Sequence, residues 1–244
     1  MDAQMNAAAA YRRLALRALR GRFLPLTLVS GASLLTGMRV TSLSARTGWL
    51  MALALVVRLF HPMLRYGRTL IFTRRFRGQP CGLDALPGWE MLPKLLGIFA
   101  LRDAPGLALI LLGDIARARD PLDLSGQALQ AAGLLLGGAL ALHYCMAEYL
   151  LIDRPALSPV ATLRASRRRL SGRRFQLFTL AMGFAGWFLL AALILAVFSM
   201  AAYSASAGAL VALAYPLMLP LSAYFNMTFI AFFEHICQRR RERP

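Results

Sequence analysis

Acidic residues are scarce in this 244-residue chain: 11 Asp and Glu stand against 28 Lys and Arg, for a formal charge of +17. They form neither a tail nor a block. Charge of either sign is low, at 16% against about 25% in ordinary soluble domains, too little to cover a soluble surface of this size. Only three cysteines are present, Cys81, Cys145 and Cys237, with no CxxC pair, so a disulfide framework is excluded and free thiols are expected. Lysine is nearly absent, since 27 of the 28 basic residues are arginine. No GxGxxG, P-loop, HExxH or GxSxG stretch occurs, which removes the strong arguments for nucleotide binding or motif-borne hydrolysis. The N-terminus lacks the short basic region and small-residue cleavage site of a signal peptide, so the first apolar run is expected to be retained.

What is abundant is apolar. Hydrophobic residues make up 58% of the chain and mean hydropathy is +0.55, with several runs near the length of a bilayer crossing. The sequence therefore predicts an all-α, polytopic membrane helix bundle in one integral-membrane domain, residues 1–244. Six spans are expected: Phe23 to Val40, Gly48 to Leu64, Met91 to Ile115, Ala131 to Ile152, Phe175 to Phe198 and Ala209 to Phe233. The fifth is the clearest, with 24 residues and no ionisable group. In this division residues 1–22 form a cytoplasmic amphipathic helix, 23–152 the first four spans, 153–174 a cytoplasmic basic helix, 175–236 the last two spans and 237–244 a basic tail.

Orientation follows from the arginines, because basic loops stay on the cytoplasmic side. With both termini inside, 22 of the 28 basic residues fall in cytoplasmic segments, while Arg39, Arg46, Arg117 and Arg119 fall outside. A pI near 11.4 in a soluble protein would suggest nucleic acid. Here the arginines are dispersed over four segments between apolar runs instead of forming one face, so nucleic acid is not expected as a partner.

Three of the cytoplasmic segments read as amphipathic helices on the membrane surface. In the first, Arg13, Arg17 and Arg20 share a face while Leu16, Leu19 and Phe23 share another. In the third, Ser158 is an N-cap, Pro159 fits the first helical position and Gly172 ends the helix. Arg164, Arg167, Arg168, Arg169, Arg173 and Arg174 then join Arg13, Arg17 and Arg20 as candidate contacts to lipid headgroups, the expected partners being anionic lipids. A second copy of the chain or another membrane protein is the further partner class to expect. The entries Phe23-Leu-Pro-Leu-Thr27-Leu28 and Phe175-Gln-Leu-Phe-Thr179-Leu180 also echo one another, each after an arginine-rich helix with a glycine near its end.

Ionisable and polar groups at membrane depth are the candidate functional residues: Arg58, Arg102, Asp103, His143, Glu148, Asn226 and Glu234. Arg102 and Asp103 sit beside Pro105, where two courses are open: a pairing of Asp103 with Arg102 or Arg58 inside the span, or a chain that crosses differently and leaves both residues among headgroups. Cys145 with Glu148, and Glu234 with Cys237, share helix faces, but the spacing is not a metal-ligand pattern, so no metal and no cofactor are expected. Gly133 and Gly137 form a GxxxG that permits close helix packing, and Pro216 and Pro220 ahead of Asn226 predict a kinked last helix.

The stretch HYCMAEYLLIDRPALSPVATLRASRRRLSGRRFQLFTLAMGFAGWFLL resembles the signature region of an uncharacterised bacterial integral-membrane family, domain of unknown function 975. Tyr144, Met146, Tyr149, Asp153, Ser158, Ser166, Gly172, Phe178, Gly186 and Trp187 stand at its matching positions. The resemblance implies a multi-pass protein of the bacterial inner (plasma) membrane, distantly like the membrane domain of glycerophosphodiester phosphodiesterases, and carries over no catalytic residue. The balance is against an enzyme. The function expected is that of an accessory or lipid-interacting protein at the cytoplasmic leaflet. The alternatives are a transporter component with a path near Arg58, Arg102, Asp103 and Glu148, and a lipid-modifying enzyme using Glu148, His143 and Glu234.

Overall fold

A computed structural model describes residues 2–21, 23–37, 48–80, 88–119, 123–201 and 207–241. All regular structure among them is helical, with no strand. The helices are α1 Asp2–Leu19, α2 Phe23–Gly37, α3 Gly48–Phe76, α4 Leu92–Arg102, α5 Ala104–Arg119, α6 Leu124–His143, α7 Ala147–Asp153, α8 Pro159–Leu170, α9 Arg174–Ala201 and α10 Ala207–Arg241. They cluster into two compact units, one of Met1–Leu86 with Phe175–Pro244 and the other of Pro87–Arg174.

Local chemistry sets the ends of these helices. Gly21, Gly78 and Gly172 have φ of 83°, 72° and 80°, the left-handed region that glycine enters without steric cost. Gly78 closes α3 in a Schellman motif, its N–H bonding Arg75 O at 3.1 Å while Gln79 N–H reaches Arg74 O at 2.9 Å. Asp123 caps α6 by accepting from the amides of Ser125 at 2.9 Å and Gly126 at 3.2 Å. Ser158 caps α8, accepting from Ala161 N–H at 3.3 Å, and Pro159 occupies the first turn as its missing N–H allows. The echoed threonines behave alike: Thr27 donates to Phe23 O at 2.7 Å and Thr179 to Phe175 O at 2.9 Å.

In the first unit α1 packs on α10 and α2 on α3 and α10. Leu19, Leu26, Phe72, Leu180, Phe184 and Phe232 are buried, each full burial of such a side chain being worth about 1.5–3 kcal/mol. Edge-on aromatic contacts join Phe184 to Tyr224 and Phe225, with centroids 5.3 and 5.2 Å apart. Arg75 donates to Ala18 O and Arg20 O, both at 3.3 Å, and so satisfies carbonyls at the end of α1.

The second unit has two parts of opposite construction. Helices α4, α7 and α8 form a base with an ordinary apolar core of Leu95, Ile98, Met146, Tyr149, Leu150, Leu151, Leu163 and Leu170. Helices α5 and α6 form a close antiparallel hairpin whose seam is glycine and polar groups. A Cβ on Gly106 would lie 2.8 Å from Gly137 Cα, and one on Gly133 would lie 2.7 Å from Gly106 O. Farther along, Gln130 Nε2 donates to Asp114 Oδ1 at 2.6 Å. The large side chains of the hairpin, including Leu111, Leu112, Ile115, Leu134 and Leu135, face outward and are exposed.

One expected span is sharply bent and another is locally irregular. The run Met91 to Ile115 is broken at Asp103, with a 60° bend between Trp89–Arg102 and Ala104–Arg117. Pro105 is the physical reason, since its ring and missing N–H prevent α4 from continuing. The run Ala131 to Ile152 departs from regular α-helix at residues 144–146, between α6 and α7, but still counts as part of one helical stretch. Among the described residues, Leu124–Asp153 is the one helical stretch long and apolar enough to cross a membrane; the bent pair makes a second if its halves count as one span.

Candidate functional site

The bend at Asp103 places an arginine and two carboxylates together. Arg102 ends α4 with its side chain only 2% exposed. Its Nε and Nη2 donate to Asp103 Oδ1 at 3.0 Å and Oδ2 at 2.8 Å, a bidentate fork, and Nη2 also donates to Glu148 Oε1 at 2.9 Å. Glu148 is held by α7, where Ala147, Tyr149, Leu150 and Leu151 on either side are buried. One guanidinium thus joins the break between α4 and α5 to the start of α7. Its remaining nitrogen, Nη1, is buried with no hydrogen-bond partner among the described residues. For buried charges, attraction and desolvation nearly cancel, whereas removing one partner costs about 3–5 kcal/mol.

The other candidates lie elsewhere. His143 closes α6 with Nδ1 3.1 Å from Ala139 O and its ring 6.2 Å from Tyr144. Glu234, in the first unit, is buried in an ion pair with Arg77. Asn226 donates to Ser30 Oγ at 3.1 Å and to Ser222 O at 2.7 Å, and the two serine hydroxyls are 3.0 Å apart, so this polar group ties α2 to α10. Arg58 falls in α3 with its side chain outside the described residues. Three of the four residues of the transport alternative therefore meet. Of the enzyme alternative, Glu148 belongs to the second unit and Glu234 to the first. Among the described residues no group of three His, Cys, Asp or Glu could hold a metal ion.

The basic helices are each amphipathic, docked by one face and exposed on the other. Arg164, Arg167, Arg168 and Arg174 are exposed, Arg169 and Arg173 half-buried, while Thr162, Leu163, Ser166 and Leu170 turn inward. On α1, Arg13, Arg17 and Arg20 are exposed and Ala15 and Leu19 buried. Leu16, expected on the apolar face with Leu19, is exposed at 54%, because the buried stripe runs through Ala15 and Leu19 at i, i+4. Sequence reasoning also passed over Arg12, whose guanidinium lies 5.2 Å from the centre of the Phe184 ring, and the ladder of Asp114, Gln130 and Arg117. The available signals were Gln130, three residues after Gln127 in an otherwise apolar run, and glycines seven residues apart, Gly106 with Gly113 and Gly126 with Gly133.

Residues 132–240 match the model of a family described as Protein of unknown function (DUF975). The match supports the DUF975 family over those residues. The DUF975 segment runs from within α6 to near the end of α10, so it carries Glu148, the exposed arginines of α8 and the Ser222–Asn226 group, while Arg102 and Asp103 lie before it. No curated protein and no solved structure matches the chain, and the likeness to glycerophosphodiester phosphodiesterases is without support.

Proposed function

We propose that this DUF975-family chain is a non-enzymatic, multi-pass protein of the bacterial inner membrane, with both termini cytoplasmic, that engages anionic lipid at the cytoplasmic leaflet. The observation that carries this reading is α8: Arg164, Arg167 and Arg168 project from a helix whose other face is locked into the base. The α5–α6 hairpin supports it, since leucines outside and glycine and polar groups inside are the arrangement suited to hydrocarbon. The 20 residues of α6 extend about 30 Å, the thickness of the hydrocarbon core. In this reading α5 and α6, with α2, the first part of α3, α9 and α10, are the six crossings. The base then lies at the cytoplasmic interface, and Arg102 and Asp103 belong to the headgroup level.

Each basic residue near an anionic surface contributes about 1 kcal/mol, so three neutralisations should weaken binding by roughly two orders of magnitude. The test is the triple variant Arg164→Gln, Arg167→Gln, Arg168→Gln in detergent, titrated with phosphatidylglycerol and, separately, phosphatidylcholine, while thermal stabilisation is recorded. Loss of the phosphatidylglycerol effect alone is expected, and an unchanged titration rejects the reading. The meeting of Arg102, Asp103 and Glu148 favours a second reading, a transport path. There Asp103→Asn would abolish substrate flux in a protein that still inserts.

A further inference from the structure

Arg12 stands on the docked face of α1. With Ala15 and Leu19, both buried, it falls at i, i+3 and i+7 of one helix stripe, whereas Arg13, Arg17 and Arg20 are exposed. Its guanidinium therefore enters the first unit, 5.2 Å from the centre of the Phe184 ring and in the space that Gly183 leaves by having no side chain. Nε is buried without a hydrogen-bond partner, and among the described residues no carboxylate or carbonyl accepts from this side chain. An aromatic face attracts a cation but accepts hydrogen bonds only weakly, so the N–H groups are left unsatisfied at a cost. Acidic partners are scarce: over the residues of this unit the sequence holds only Asp2, Asp84, Glu234 and Glu242, and Glu234 is engaged by Arg77. A second donor stands beside the first. Tyr224 meets the same Phe184 edge-on, with centroids 5.3 Å apart, near enough for the Arg12 charge to act on its phenol. Its hydroxyl makes no hydrogen bond among the described residues.

We infer that Arg12 and Tyr224 form a binding site for a single phosphate group, carried by an anionic lipid or by free phosphate from the cytoplasm. The planar guanidinium presents N–H donors in a fork that matches phosphate oxygens, and the phenol adds an O–H donor. Both side chains are half-buried, so a small group can reach them while water is largely excluded. Depth agrees with this ligand, and that step rests on the proposed membrane reading. Hydrocarbon about 30 Å thick takes about 20 helical residues. Counted from the exterior ends of α9 at Ala201 and α10 at Ala207, that length reaches Met182 and Asn226. Gly183, Phe184 and Tyr224 thus lie within the last turn before the cytoplasmic phosphates. The site is separate from the exposed arginines of α8, which belong to the second unit.

The test compares the full chain in detergent as wild type, Arg12→Gln and Tyr224→Phe. Tyr224→Phe keeps the ring against Phe184 and removes only the hydroxyl, so α1 stays docked and an Arg12 that merely anchors α1 would not register the change. Native mass spectrometry counts the phosphatidylglycerol retained per chain from mixtures with phosphatidylcholine, and equilibrium dialysis follows radiolabelled inorganic phosphate. With a lipid as the source, phosphatidylglycerol should bind at least about tenfold more weakly to Arg12→Gln and about two- to tenfold more weakly to Tyr224→Phe. With free phosphate as the source, the same losses appear in dialysis instead. The Arg164→Gln, Arg167→Gln, Arg168→Gln variant keeps both donors and should match wild type in whichever arm binds, so its failure to respond to added lipid bears on α8 alone. Equal binding of both probes by wild type and Tyr224→Phe overturns the inference, even where Arg12→Gln binds less, because a loss in Arg12→Gln alone is the mark of an undocked α1.

Discussion

The glycine seam yields the sharpest energetic test of this fold. In Gly106→Ala the new methyl would sit 2.8 Å from Gly137 Cα, 2.9 Å from Gly133 O and 3.0 Å from Gly137 N. All three are backbone atoms, so no rotamer change relieves the clash. Carbon contacts are most favourable at about 3.5–4.0 Å, and α6 must retreat by roughly 0.5–1 Å, a gap that forfeits a quarter to a half of each contact's well depth. The retreat also stretches the Gln130–Asp114 hydrogen bond. Overpacking of this kind costs about 1–3 kcal/mol. Against it stands the gain of replacing a helical glycine by alanine, about 1 kcal/mol. That gain is removed by a matched control on the same hairpin, Gly138→Ala, where a Cβ meets nothing within 4 Å. The difference between the two variants isolates the steric cost. Reversible unfolding in mixed detergent micelles, followed by circular dichroism, should place Gly106→Ala below Gly138→Ala by about 1–3 kcal/mol. Equal midpoints would refute the close-packed seam.

Two further outcomes follow from the caps and the docked helix. The Ser125 hydroxyl, at 2.7 Å, and its amide hold the Asp123 carboxyl below the usual carboxylate range. A carboxyl whose folded value is depressed stabilises above its unfolded value and loses that contribution as pH falls through the folded one. Amide exchange at Ser125 and Gly126 should therefore accelerate in that acid limb, and Asp123→Asn, which keeps an accepting oxygen, should lack the limb; an identical acid limb in both proteins contradicts this. In the first unit, a methyl at Gly183 takes the place of the Arg12 guanidinium and displaces it from Phe184. Losing a cation–π contact of about 0.5–2 kcal/mol should speed tryptic cleavage at exposed Arg13 and Arg17 by about two- to thirtyfold. Gly186→Ala, with nothing within 4 Å of its Cβ, is the comparison, and matching cleavage rates in the two variants would dismiss the Arg12 contact as an anchor of α1.

The reading of the second unit ties these features together. Its hairpin and base use opposite rules of burial, leucine outside and glycine inside in one, leucine inside and arginine outside in the other. In the proposed reading, the change of rule at Asp103 and again at residues 144–146 marks the passage between hydrocarbon and headgroups. The proposed lipid contact on α8 sits on the base side of that change.

Much was legible in the residues themselves. The helical class, the caps at Ser158 and Pro159, the stop at Gly172 and the family signature from Tyr144 to Trp187 rest on local chemistry, because capping, proline and glycine effects act within a turn or two of chain. Clusters of arginine at the ends of apolar runs could likewise be read, since they depend only on order along the chain. Tertiary structure decided the rest. Whether Pro105 merely kinks a span or ends a helix, and which carboxylate besides Asp103 answers Arg102, depends on what packs against the break; here it is Glu148, 46 residues away. Sequence supplied the glycines at seven-residue spacing, but only the approach of α5 to α6 turned them into a seam, because a missing side chain acquires meaning from the atom that fills its place.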